Sequence, residues 1–242
     1  PTDCPQRDER LGWTGDAQIY MRSAAFNNDI AAFHTKWITD LNDAQWPSGA
    51  YPVYAPIPSV NGVATIRASD TWSPGWSEAG IVCPYNIYKM YGDTRIIEQS
   101  WPHMVKYMDF LEARSGGRYY FPEGSFEDIS PKGGFGDWLS VGKKTPPDML
   151  ATMYYRYCAL LMAEMAEATG NEKEKAHYTM ISDKIRAAFS SYYMEPDGKL
   201  KTNAAAYGNG SGYVDGNMGF SGHTQTAYAN AVYLKMLSLG DA

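Results

Sequence analysis

Residues 146–193, PPDMLATMYYRYCALLMAEMAEATGNEKEKAHYTMISDKIRAAFSSYY, read as two helices joined by a tight turn. Pro146 and Pro147 suit a first helical turn, because proline's fixed φ and missing N–H cost nothing there. Leu150, Tyr154, Tyr157, Leu161 and Met165 then recur on one face, and Gly170 stops the run. The partner begins near Glu172, with Ile181, Ile185, Ala188 and Tyr192 as its apolar face. Pro196, Asp197 and Gly198 make residues 194–201 a hairpin-like turn.

The same pattern extends in both directions. Upstream, Asp16 is placed to cap a helix starting at Ala17, and Ile30, Phe33, Trp37 and Leu41 follow on one face, giving a helix or a close helical pair. Residues 78–91, with Pro84 set to bend them, and 93–113 form a second pair. Gly92 and Asp93 mark its turn, and Ile97, Trp101, Met104, Met108 and Leu111 its stripe. Downstream, a last helix covers residues 224–239. About seven helices can be counted, separated by long loops at 44–77 and 116–145 where chemistry is expected. Helical hairpins with no repeat of fixed period favour a closed toroid over a solenoid. A ring of six hairpins needs about twelve helices, so the expectation is an all-α chain holding the first half to two-thirds of such a ring.

Composition narrows the function. The 242 residues are 44% hydrophobic, enough for a sizeable core. A net charge of −6 and no run of Lys or Arg exclude the electrostatic footprint of nucleic-acid binding. No stretch approaches the roughly 20 apolar residues of a membrane span, and no leader pattern opens the chain. Cys4, Cys83 and Cys158 are too far apart for a zinc knuckle and odd in number, and they read as free thiols. His34, His103 and His177 lack metal-ligand spacing, so no metal is expected. Aromatic residues reach 14%, several in Gly- and Pro-rich connections, where they serve either core packing or a sugar-binding cleft.

The densest chemistry lies in residues 3–18, DCPQRDERLGWTGDAQ. Asp3, Glu9 and Asp16 stand six and seven apart with Arg7 between them, and Gly12 and Gly15 permit turns that bring the carboxylates together. Converging carboxylates beside Trp13 raise one another's pKa, which keeps one of them protonated. A protonated acid facing an ionised carboxylate is the pair that cleaves glycosidic bonds. The alternative is a solvated capping segment in which Asp3, Arg7, Asp8, Glu9 and Arg10 pair at the surface, at most about 1 kcal/mol per pair.

From Asp3 to Asp16 this stretch resembles the signature of the α-L-rhamnosidases of glycoside hydrolase family 78, D-C-P-x-R-x-E-R-x-x-W-x-G-D, without a gap. WSPGWSEAGIVCPY from Trp72, FGDWL from Phe135 and the following TPPDMLATMYY extend the resemblance. It implies an inverting hydrolase on an (α/α)6 barrel that releases terminal L-rhamnose from a glycoside or polysaccharide. No cofactor is implied, and the location implied is bacterial, periplasmic or secreted. By position Glu9 is the general acid, and Asp3, Arg7, Trp13 and Asp16 hold the sugar. Trp72, Trp76 and Trp138 are implied as aromatic walls, and Glu78 and Asp137 as hydroxyl ligands. The family's general base belongs to a later Trp-Glu-Arg-Trp-like block, which these residues lack; Trp101 is followed by Pro102. The chain is therefore expected to be part of one catalytic domain, without the rest of the barrel, its base or flanking β-domains. The competing readings are a catalytically inactive carbohydrate-binding relative and a related toroid hydrolase or lyase acting on another sugar. Glu123, Glu127 and Asp128, in the loop before Phe135, are either cleft-facing or solvated. His223 suits a cap as well as a site, and the Gly-rich residues 204–229 read as a rim loop.

Overall fold

The computed structural model describes residues 8, 10–60, 63–64, 72–129, 134–201 and 219–237. Seven helices are present among them: α1 (Thr14–Asn27), α2 (Ala31–Asp43), α3 (Ala79–Tyr91), α4 (Arg95–Ser115), α5 (Pro147–Ala168), α6 (Glu172–Tyr193) and α7 (Gln225–Tyr233). Two short strands, β1 (Ser59–Val60) and β2 (Val63–Ala64), pair antiparallel between α2 and α3.

The odd-numbered helices form one row, with α1 against α3, α3 against α5 and α5 against α7. Behind them α2 packs on α3 and α4, α4 on α3 and α5, and α6 on α5. This double row of successive hairpins is the arrangement of a partial (α/α)6 barrel. Each hairpin alone would leave an apolar stripe wet, and stacking side by side covers it. α5 therefore buries residues on most of its circumference, from Met149 and Leu150 to Met165 and Ala166.

Several helix limits differ from the sequence expectation for local reasons. α1 starts at Thr14, three residues earlier than an Asp16 cap would place it, with Trp13 at the N-cap. Its first free donor needs no side-chain cap, because the Thr14 N–H and Oγ1 both donate to the Val53 carbonyl at 2.9 Å. Asp16 sits in the first turn, where a carboxylate favours the positive end of the helix. In α2 the buried stripe is His34, Trp37, Ile38 and Leu41, and Phe33, at its edge, is 49% exposed. In α6 Phe189 and Tyr193 are buried more fully than Ala188 and Tyr192, Tyr192 packs partly buried against the core, and the Tyr193 hydroxyl donates to the Phe121 carbonyl. α7 ends at Tyr233, short of Leu239. The amides of Met236 and Leu237 turn back to the Ala231 carbonyl, and Arg156 of α5 donates to the Lys235 carbonyl.

Other expectations hold. Ile97, Met104, Met108 and Leu111 of α4 are buried, and Trp101 meets Tyr178 of α6 edge-on. Gly92 closes α3 at φ +70°, and Pro84 stands within that helix. Met194 bridges Leu200 across the 194–201 turn. Cys83 and Cys158 are free and buried; Cys4 lies outside the described residues.

Candidate active site

The segments leading into α1, α3, α5 and α7 are bonded to one another, so the N-terminal ends of the odd row share one end of the fold. Trp13 bridges Tyr54, and the Ala55 amide donates to the Gly12 carbonyl at 3.1 Å. Gln18 of α1 donates to the Gly75 carbonyl ahead of α3. The Phe135 amide donates to Ser73 Oγ at 2.8 Å, which joins the 134–139 segment to the turn before α3. Gly134, at φ +72°, is required here: a Cβ would lie 2.7 Å from Ser73 Oγ. Lys144 exchanges backbone hydrogen bonds with Gly219 and Ser221 ahead of α7.

Four aromatic rings, Trp13, Phe135, Trp76 and Trp138, form a continuous wall across these segments. Phe135 is its centre, 5.6 Å from Trp13, 5.4 Å from Trp76 and 5.4 Å from Trp138. Tyr54 backs Trp13 edge-on at 5.2 Å. Trp13, Trp76 and Phe135 are half-buried, and Trp138 is 40% exposed, so the wall keeps an accessible face. The Trp76 indole lies over Gly15, where an added Cβ would be 2.8 Å from Cδ2, Cε2 and Nε1. Partly exposed aromatic rings of this kind suit the C–H surfaces of a sugar ring.

Sequence reasoning did not single out Phe135, although it opens the FGDWL block. Its aromatic type was visible, but its place between three tryptophans depends on which loops meet.

The remaining candidates separate into distinct surroundings. Trp72 is buried in the core, between Phe110 and Phe126, with the Arg114 guanidinium over its ring. Glu78 is 1% exposed. Its Oε2 accepts from the Gly75 amide at 2.8 Å and its Oε1 from the Tyr107 hydroxyl at 3.1 Å. Burial pushes its carboxyl up to about 7, against the lowering effect of hydrogen bonds from its own backbone, Tyr107 and Gly75. Asp137 accepts from the Thr145 amide and Oγ1 at 3.1 and 2.9 Å and from Thr226 Oγ1 at 3.2 Å. It thus ties the FGDWL block to the starts of α5 and α7. Asp16 is exposed, one turn beyond Trp13. Asp3, Arg7 and Glu9 lie outside the described residues.

The loop acids take separate surroundings, and Glu127 is exposed. Asp128 pairs with Arg114 at 2.5 Å, and the Glu123 amide donates to the Tyr192 hydroxyl at 3.1 Å. His223 Nε2 lies 2.6 Å from the Leu200 carbonyl, and its amide donates to Ser221 Oγ at 3.0 Å. Most of residues 204–229 lies outside the described residues. Among the described residues no group of three or more His, Cys, Asp or Glu could hold a metal ion, and no helix is long and apolar enough to cross a membrane.

The double row of stacked helical hairpins places the chain in the class of six-hairpin glycosidase domains. A family model described as the bacterial alpha-L-rhamnosidase 6 hairpin glycosidase domain matches residues 1–239, and the chain belongs to that family. It is 39% identical over 203 residues to an alpha-L-rhamnosidase of Streptomyces avermitilis, covering 83% of this chain and 18% of the relative. It is 29% identical over 245 residues to an alpha-L-rhamnosidase of Formosa agariphila, covering 98% of this chain and 22% of the relative. Among solved structures, the Streptomyces avermitilis alpha-L-rhamnosidase complexed with L-rhamnose is similar at TM-score 0.75 and 34% identity, over 98% of this chain and 19% of that one. The alpha-L-rhamnosidase from Dictyoglumus thermophilum is similar at TM-score 0.75 and 26% identity, over 100% of this chain and 24% of that one. The chain thus spans about a fifth of the length of these relatives.

Proposed function

We propose that this chain is the acid-bearing part of an enzyme that releases terminal α-L-rhamnose by inversion. The observation that carries the reading is the wall of Trp13, Phe135, Trp76 and Trp138 at the start of α1. That helix begins within the ungapped signature, Asp3 to Asp16, which also holds Arg7 and Glu9. The family, and the binding of L-rhamnose by the Streptomyces avermitilis relative, support the choice of sugar. In this reading Glu9 protonates the departing glycosidic oxygen. Asp3, Arg7 and Asp16 take the sugar's hydroxyls, and the aromatic wall takes its ring and methyl group. Inversion needs a second carboxylate about 6.5–9.5 Å from the acid, with a water between them. That base belongs to the remainder of the barrel, and no cofactor takes part.

The test is hydrolysis of a chromogenic α-L-rhamnoside by the protein in its full natural length, with the product anomer followed by NMR. Initial release of β-L-rhamnose, and a loss of turnover by orders of magnitude in Glu9→Gln with the fold intact, are expected. Near-normal turnover in Glu9→Gln refutes the acid assignment. Rhamnose binding without hydrolysis by the unaltered protein identifies a binding relative instead.

A further inference from the structure

The turn that carries Trp76 is built on a buried carboxyl. Glu78 stands at the N-cap of α3, and its Oε2 takes the amide of Gly75, a glycine held at φ +85°. Its Oε1 takes the Tyr107 hydroxyl of α4, which itself accepts from Trp72 Nε1 at 3.1 Å. The Gly75 carbonyl accepts from Gln18 of α1. Within the turn, the Ser73 amide donates to Ser77 Oγ at 3.1 Å, and the Ser73 carbonyl accepts from the Trp76 amide at 3.2 Å. Glu78 thus ties α4 to Gly75, the residue whose carbonyl also receives α1, and Trp76 lies between Gly75 and the Glu78 anchor. Closed off from solvent, the carboxyl presents no face to a ligand.

We propose that Glu78 is a positioning residue for sugar recognition, fixing the 73–76 turn so that the Trp76 ring stands over Gly15 and against Phe135. The proposal rests on the reading that this aromatic wall receives the sugar. An amide at position 78 can keep only one anchor properly. If its oxygen faces the Gly75 amide, its NH2 faces Tyr107, whose hydroxyl must then reverse and leave its own proton unpaired in a fully buried setting.

The experiment uses the protein in its full natural length, labelled with fluorotryptophan, with the Trp76 fluorine line assigned by its loss in Trp76→Phe. In Glu78→Gln the Trp76 line is expected to shift or broaden without sugar present. KM for an aryl α-L-rhamnoside should rise about two- to tenfold, the scale of one aromatic contact, with kcat changing less. In a Trp76→Ala background Glu78→Gln should add less than about twofold, because both lesions act through one ring. An unmoved Trp76 line in folded Glu78→Gln overturns the proposal, as does a full additional loss in the Trp76→Ala background. A moved line with unchanged KM supports positioning of the ring and overturns the sugar-wall reading on which the proposal rests. Tyr107→Phe, which removes one anchor without altering Glu78, serves if Glu78→Gln does not fold, with the same outcomes expected.

Discussion

Gly15→Ala separates stability from recognition at one site. Gly15 is the second residue of α1 and is buried beneath the Trp76 indole, its hypothetical Cβ equidistant at 2.8 Å from Cδ2, Cε2 and Nε1. Equal distances to three atoms of the five-membered ring place the new methyl against the face of the indole, not its rim. Ordinary carbon contacts begin near 3.5 Å, so the ring must lift by about 0.7 Å or more. Trp76 is half-buried and can move, whereas α1 is fixed by the Thr14–Val53 pairing. Alanine improves helix propensity by up to about 1 kcal/mol, which offsets part of the crowding. Net stability should therefore stay within about 1 kcal/mol of the unaltered protein. The displaced ring, in contrast, should raise KM for an aryl α-L-rhamnoside about tenfold, below the hundredfold that a misplacement of about 1 Å can cost. Steady-state kinetics beside thermal melting gives both quantities. An unchanged KM with a folded protein refutes the place of Trp76 in the sugar wall. A collapsed melting temperature shows instead that the Gly15–Trp76 contact is core packing.

Gly80→Ala should be costly for the opposite reason. Its Cβ would overlap the ring of Tyr51, which is fully buried and donates through its hydroxyl to Asn42 Oδ1 at 3.0 Å. A loss of about 2–4 kcal/mol in urea unfolding is expected, and no loss would show that Tyr51 has room to move. Glu78 also predicts a pH dependence. Its folded pKa, about 7, is raised from 4.5, so its contribution is fully present below pH 4.5 and is lost as pH rises through about 7. The surrounding Tyr107, Tyr154 and Cys158 have pKa values pushed further up by burial and stay neutral in this window. Glu78→Gln does not titrate. Its stability relative to the unaltered protein should therefore climb by up to about 3 kcal/mol between pH 4.5 and 8, and parallel pH profiles would refute the shift.

The helical hairpins were legible in the sequence, because a periodic apolar stripe and a proline or glycine stop are local signals. It also carried the family, since the residue 3–16 signature and the two later blocks are contiguous patterns. Helix phase was less legible. Phe33 and His34 differ in burial because the stripe is set by what α2 packs on, and Phe189 and Tyr193 are buried more fully than Ala188 and Tyr192 for the same reason. The roles within these blocks depend on tertiary contacts. Trp72 and Trp76 stand four residues apart in one motif, yet one fills the core and the other lines the wall. Glu78 and Asp137 were legible as polar residues near a site, but which of their oxygens are taken by Tyr107, Gly75, Thr145 and Thr226 depends on which loops meet. Those meetings follow from the stacking of α1, α3, α5 and α7, a set of contacts between distant residues that no local pattern encodes.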